Sequence, residues 1–161
     1  MKEKCVSGGC QCGALRYKVV GPLGSTDLCH CRMCQKAFGS FGAVLTRVPF
    51  ANFKWTRGKP ATFQSSAHVA RGFCASCGTP MFMFEDGDDF IDLATGTLDD
   101  PGIVKSLSHQ IGIESKVIWF EQLHSLPHQT TAETRNPGDL PRLASFQHPD
   151  HDTAHWPPAK T

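Results

Sequence analysis

Short apolar runs, each closed by Gly, Pro or a polar cluster, recur along the chain and predict strands rather than long helices. They fall at 14–20, 41–46, 68–73, 80–84, 90–94 and 117–120, with 107–113 (LSHQIGI) as a further candidate. The stretch MFMF at 81–84 is continuous rather than alternating, which predicts a strand buried on both faces. Helical signals are few. RMCQKA at 32–37 predicts one or two helical turns closed by Phe38 and Gly39, and TLDDP at 97–101 predicts a turn that Pro101 ends. The balance is an all-β domain built from small sheets.

The pattern fades after about residue 123. The segment 124–161 holds most of the histidines and many of the prolines but little apolar periodicity, so it is expected to be a surface-draped tail behind a domain spanning 1–123. Leu140, Leu143 and Phe146 are its apolar positions able to dock. His148, His151 and His155 sit among prolines and are expected to be solvated.

A chain of 161 residues suits one domain with a real core. Sixteen basic residues nearly cancel fifteen acidic ones, so no global field recruits nucleic acid or anionic lipid, although a local patch for a small charged substrate is compatible with a net charge of +1. The opening residues MKEKCVSGGC lack an apolar stretch, and nowhere does a run approach the roughly 18 apolar residues of a membrane span. These features predict a cytosolic protein with neither nucleic-acid nor membrane partners. A reducing cytosol then gives eight cysteines metal or redox roles rather than disulfides.

Seven of the eight cysteines form three groups: Cys10 and Cys12 in CQCG, Cys29, Cys31 and Cys34 in CHCRMC, and Cys74 and Cys77 in CASCG. A close cysteine pair followed by Gly is a metal knuckle, because both sulfurs reach one ion while Gly takes the backbone angles needed where the chain curls away. The strongest pairing joins Cys10 and Cys12 to Cys74 and Cys77, four thiolates for a closed structural zinc, stapling a loop of about 60 residues. Cys29, Cys31 and Cys34 then offer three ligands and an open fourth position, the pattern of a catalytic zinc. Spacing alone does not decide which cysteines share an ion. Disulfides, or a redox centre at Cys74 and Cys77, remain as alternatives, the latter without the βαβ context of a thioredoxin-like motif. Cys5 stands outside the groups as a free thiol. His30, between two proposed ligands, is expected to point away from the metal at the surface or behind the ligands, and His109 to be a hydrogen-bonded strand histidine.

Taken in order, GGCQCGALRY, CHCRMCQKAFGS, FCASCGTPMF, LATGTLDDP and HQIGIESKVIWF resemble the glutathione-dependent formaldehyde-activating enzyme family, which includes centromere protein V. The resemblance runs over roughly residues 8–120. It implies a β-tent fold, shared with a guanine-nucleotide release factor for Rab proteins, with a structural zinc on Cys10, Cys12, Cys74 and Cys77. It also implies a catalytic zinc on Cys29, Cys31 and Cys34. The implied activity is carbon–sulfur lyase chemistry on a glutathione–formaldehyde adduct, with a small thiol and an aldehyde as partners. Arg32 and Lys36 lie in or beside the same loop, either as cations that offset the negatively charged triplet or as solvated surface charges. A non-catalytic zinc-stabilised binding module, and a zinc carrier or redox sensor, are the competing readings.

Overall fold

The computed structural model describes residues 5–156. Its strands are β1 (Cys5–Gly9), β2 (Arg16–Val20), β3 (Thr26–Cys29), β4 (Ala43–Pro49), β5 (Phe53–Arg57), β6 (Ala61–Gln64), β7 (Val69–Phe73), β8 (Pro80–Glu85), β9 (Phe90–Ala94) and β10 (Gln110–Ile111). One short helix, α1 (Arg32–Phe38), joins β3 to β4. The strands build a three-stranded sheet, β1-β2-β5, and a seven-stranded sheet, β10-β3-β4-β9-β8-β7-β6. Every pairing is antiparallel except that of β10 with β3. The all-β expectation therefore holds, and no helix among the described residues is long and apolar enough to cross a membrane.

The main core lies between the sheets. Val6, Tyr17 and Val19 from the small sheet meet Val48, Phe82, Ile91 and Leu93 from the large one. Tyr17 satisfies its buried hydroxyl on Thr97 Oγ1 at 2.9 Å. The large sheet also packs on its other face, because side chains alternate along a strand. On β4, Val48 enters the main core while Ala43 and Leu45 join Cys29 and Cys34 in a second cluster. Over most of the continuous MFMF run the explanation is the same: Phe82 and Phe84 pack with the main core and Met83 with the second cluster, while Met81, at a register shift against β7, also enters the main core.

Four strands lay outside the predicted runs. CVSGG of β1, TDLC of β3 and ATFQ of β6 are short and polar or glycine-rich. FKWTR of β5 does alternate, with Phe53 and Trp55 turned toward the core and Lys54 outward. Two expectations need correction. Residues 117–120 are not a strand but enter a 3₁₀ helix, Ile118–Ser125, whose Trp119 and Phe120 pack edge-on or tilted over Phe41. Of 107–113 only Gln110–Ile111 is strand, held to β3 by bonds from Leu28 N to His109 O and His30 N to Ile111 O at 2.9 and 2.8 Å.

The last described residues return to the small sheet. His148 N donates to Gln11 O at 2.8 Å, Asp152 pairs with Arg16 and Lys18 at 2.9 and 3.1 Å, and Trp156 Nε1 donates to Cys12 O at 2.6 Å. His148 is consequently 6% exposed, against the expectation of a solvated side chain, whereas His151 and His155 are exposed as expected. The reason is a contact distant in sequence: His148 covers the side-chain-free surface of Gly13. Leu140, Leu143 and Phe146 do not dock and stay exposed.

Candidate metal centres

The first knuckle follows β1 and the second follows β7, and the two sheets bring them together. The sulfurs of Cys10, Cys12, Cys74 and Cys77 lie within 4.8 Å of one another. Cys10 and Cys12 Sγ are 3.6 Å apart, and Cys12 and Cys74 Sγ are 3.8 Å apart. A tetrahedron of sulfurs about 2.3 Å from a central zinc has edges of about 3.8 Å. The donor set and its spacing therefore fit the ion, and four thiols close the site. Gly13 and Gly78 take positive φ of 78° and 75°, and each returns its N–H to the first cysteine of its knuckle, Cys10 O at 3.0 Å and Cys74 O at 2.8 Å. Burial pushes the Cys12 thiol up to about 12. Burial also acts on Cys77, but the Thr79 hydroxyl at 3.1 Å and nearby backbone donors outweigh it and bring that thiol down to about 6.

The second centre is assembled at the β3–α1 junction, on the opposite face of the large sheet. Cys29 ends β3, Cys31 caps α1 and Cys34 lies in its first turn, and their three sulfurs lie within 4.8 Å of one another. Cys31 has extended backbone angles, and its sulfur accepts from Cys34 N at 3.4 Å, so one residue both starts the helix and offers a thiol. Gln35 anchors the helix by donating to His30 O and Ser115 O at 2.6 and 2.8 Å. Donation to Cys34, aided by burial, pushes the Cys29 thiol up. The Cys29 thiol and the Arg71 guanidinium bring Cys34 down despite burial. Among the described residues no further His, Cys, Asp or Glu joins this set.

The cation at the triplet is not one of those expected from the sequence. Arg32 is turned to the side chain of Gln35, and Lys36 is exposed. Arg71, on β7 and 7% exposed, directs Nη2 at Cys34 Sγ at 3.5 Å and Nε at Ser65 Oγ at 3.1 Å. Its Nη1 is buried without a hydrogen-bond partner among the described residues. The signal in the sequence is an arginine inside the apolar run HVARGF, where strand alternation turns it to a packed face. His30 does not lie at the surface. It is fully buried, with Nε2 3.0 Å from Gln110 Oε1 and its ring edge-on to Phe120. His109 is hydrogen-bonded, as expected, through Nδ1 to Asp27 Oδ1 at 3.1 Å, but it stands just before β10 rather than in a strand, and is exposed. Cys5 is an exposed free thiol on β1.

A cavity of about 180 Å³ opens on the triplet. Leu45, Val69, Met83 and Ile111 contribute apolar wall, Arg71 lies beside Cys34, and Asp27, Arg47, Glu85 and Asp92 stand around it.

The sequence pattern of the glutathione-dependent formaldehyde-activating enzyme matches residues 5–113, which take in all seven grouped cysteines. A Halomonas elongata protein that carries the same family name is 27% identical over 88 residues, covering 50% of this chain and 56% of the relative's length. The crystal structure of a Rhodobacter sphaeroides protein superposes with a TM-score of 0.53 at 18% identity, covering 65% of this chain and 98% of that one, a likeness of fold alone. By that match over well more than half its length, the chain belongs to the glutathione-dependent formaldehyde-activating enzyme family.

Proposed function

We propose that the protein is a zinc-dependent carbon–sulfur lyase that interconverts S-(hydroxymethyl)glutathione with glutathione and formaldehyde. Cys10, Cys12, Cys74 and Cys77 would hold a structural zinc, and Cys29, Cys31 and Cys34 a catalytic one. The observation that carries the reading is a three-thiol set, without a fourth His, Cys, Asp or Glu among the described residues, facing a cavity. Among the described residues neither Cys5 nor His109 joins that set, which supports an open rather than a closed second centre. Zinc bound there would supply an open coordination position for a thiol sulfur and a Lewis acid for an aldehyde oxygen.

The chain's own residues have separable tasks. Three thiolates concentrate negative charge, and Arg71 offsets it from 3.5 Å at Cys34. Its unpaired Nη1 is a donor available to an oxygen that gains charge when sulfur adds to the carbonyl carbon. In that direction the S–C bond forms, the C=O π pair moves to oxygen, and the thiol proton ends on that oxygen. The reverse breaks the S–C bond and returns the proton to sulfur. Leu45, Val69, Met83 and Ile111 limit water around the reacting atoms. The chemistry belongs to the unit 1–123, in a reducing, cytosolic setting that keeps the cysteines as thiols.

NMR exchange spectroscopy on glutathione and formaldehyde, with and without zinc-loaded protein, tests this directly. Cross-peaks between free and adducted glutathione should grow at a rate proportional to protein. An exchange rate equal to the uncatalysed one would remove this substrate pair.

A further inference from the structure

The register of the large sheet aligns Phe63, Arg71, Met83, Asp92 and Arg47 in one row across β6, β7, β8, β9 and β4. Alternation puts such a row on one face, the face that carries the triplet. Part of the row borders the thiol-lined chamber. Its β6 end borders a second cavity of about 390 Å³, between the exposed side of α1 and β6. Met33 and Arg71 line both, so the two spaces adjoin.

The second cavity, a trough, has an apolar floor and a cationic rim. Phe63 is 63% exposed there and Met33 is also exposed, while Arg32, Lys36 and Arg71 supply the charge. No carboxylate lines it among the described residues. The other strands of the chamber wall carry the opposite charge: Asp27 on β3, Glu85 on β8 and Asp92 on β9, with Arg47 held on Asp92 at 3.2 Å. An anionic group leaving the chamber is therefore turned toward α1 and β6. Size points the same way. A chamber of about 180 Å³ is smaller than the roughly 300–1,000 Å³ usual for a small-molecule site, so a substrate bigger than its reacting atoms must extend beyond it.

We propose that the trough between α1 and β6 is a subsite for the carboxylate-bearing arm of a small thiol whose sulfur enters the three-cysteine chamber. Arg32 and Lys36 bind the carboxylate, Met33 and Phe63 carry the methylene and peptide portions, and Arg71 joins the two compartments. The assignment rests on the proposed function for what happens in the chamber and adds which residues select the thiol.

The test uses S-methylglutathione, whose capped sulfur cannot react, and its diethyl ester, which lacks the carboxylates, titrated into the zinc-loaded protein by calorimetry. Wild type should bind the acid at least about tenfold more tightly than the ester, a difference of about 1.4 kcal/mol. Lys36→Glu, and Arg32→Glu with Lys36→Glu, should abolish the preference, and Lys54→Glu on the other sheet should leave it intact. Equal affinity of wild type for acid and ester, no binding of either, or an unchanged preference in the double variant would overturn the subsite. The exchange assay on glutathione separates the two ideas. Catalysis with no acid preference leaves the reaction standing and removes the subsite, whereas an acid preference lost in the variants supports the trough even if exchange stays at the uncatalysed rate.

Discussion

Replacing Cys31 by Ser separates the two metal centres with least disturbance to the fold. Cys31 performs two tasks, offering a thiol to the triplet and accepting from Cys34 N as the cap of α1. Serine keeps the second and removes the first, because its hydroxyl is a preferred cap; Ala at the same place removes both and should lose about 1 kcal/mol more. With one equivalent of zinc present, so that the closed centre is filled and the triplet is not, Cys31→Ser should match wild type within about 1 kcal/mol in urea. Cys74→Ser is the opposite case. Cys74 is 1% exposed within the main core, and its loss opens a four-thiol site. Structural zinc contributes about 10–16 kcal/mol to folding in small metal domains, as much as the ~5–15 kcal/mol total stability of an ordinary domain, so this variant should not fold. Elemental analysis should then find two zincs per chain in wild type loaded with excess zinc and one in Cys31→Ser. Loss of both ions or of the fold in Cys31→Ser, or two ions retained, would refute the division into a closed and an open centre.

Arg71→Met should weaken zinc at the triplet by about 10–100-fold in a chelator competition, with Arg71→Lys recovering part of it, since a lysine supplies charge without the fork; an unaltered affinity would remove Arg71 from the centre. Asp99→Asn should destabilise the protein by about 3 kcal/mol at pH 7, because Arg16 is buried and two of its nitrogens bond Asp99 at 2.7 and 2.5 Å, while Asp152 remains as a second partner. Arg16 and Ser7 outweigh burial and hold the Asp99 carboxyl below its ordinary value. That contribution is complete above the unfolded carboxyl's pKa of about 4 and fades only as pH falls further, so the penalty measured in urea should be equal at pH 5.5 and pH 8. A penalty halved at pH 5.5 would contradict the pairing. Gly13→Ala places a methyl against the His148 ring at a positive φ, and should expose His148 to diethyl pyrocarbonate; unchanged protection would mean that His148 does not rest on the knuckle.

The parts of the protein legible in its sequence are those fixed by contacts close along the chain. The knuckle glycines and the short helix ended by Gly39 depend on neighbours within a few residues, and each lies where local chemistry puts it. The unbroken apolar run on β8 likewise reports a sheet packed on both faces. What stayed hidden depends on register between distant strands. Arg71 reaches the triplet because β7 pairs with β8 so that Arg71 lies opposite Met83, and no local pattern carries that number. Arg32 and Lys36 are nearer to the cysteines in sequence but stand on the outer side of the helix, over the trough. Burial of His148 depends on a contact with Gly13 across most of the chain, and the polar, proline-rich surroundings give no apolar period to announce it.

The same distinction explains why the two proposed centres would differ in kind. The closed one draws one pair of thiols from each side of the main core, so its four ligands and the packing of the sheets depend on each other. The open one takes its three thiols from six consecutive residues, the end of β3 and the start of α1, outside that core. Its ligand geometry is set locally, and the space left over is bounded by strands that contribute no further ligand. A site so built can lose its metal or bind a substrate without unpacking the sheets, whereas a site built across the core cannot. Separate consequences for Cys31→Ser and Cys74→Ser therefore follow from where the ligands come from, before any assumption about the reaction.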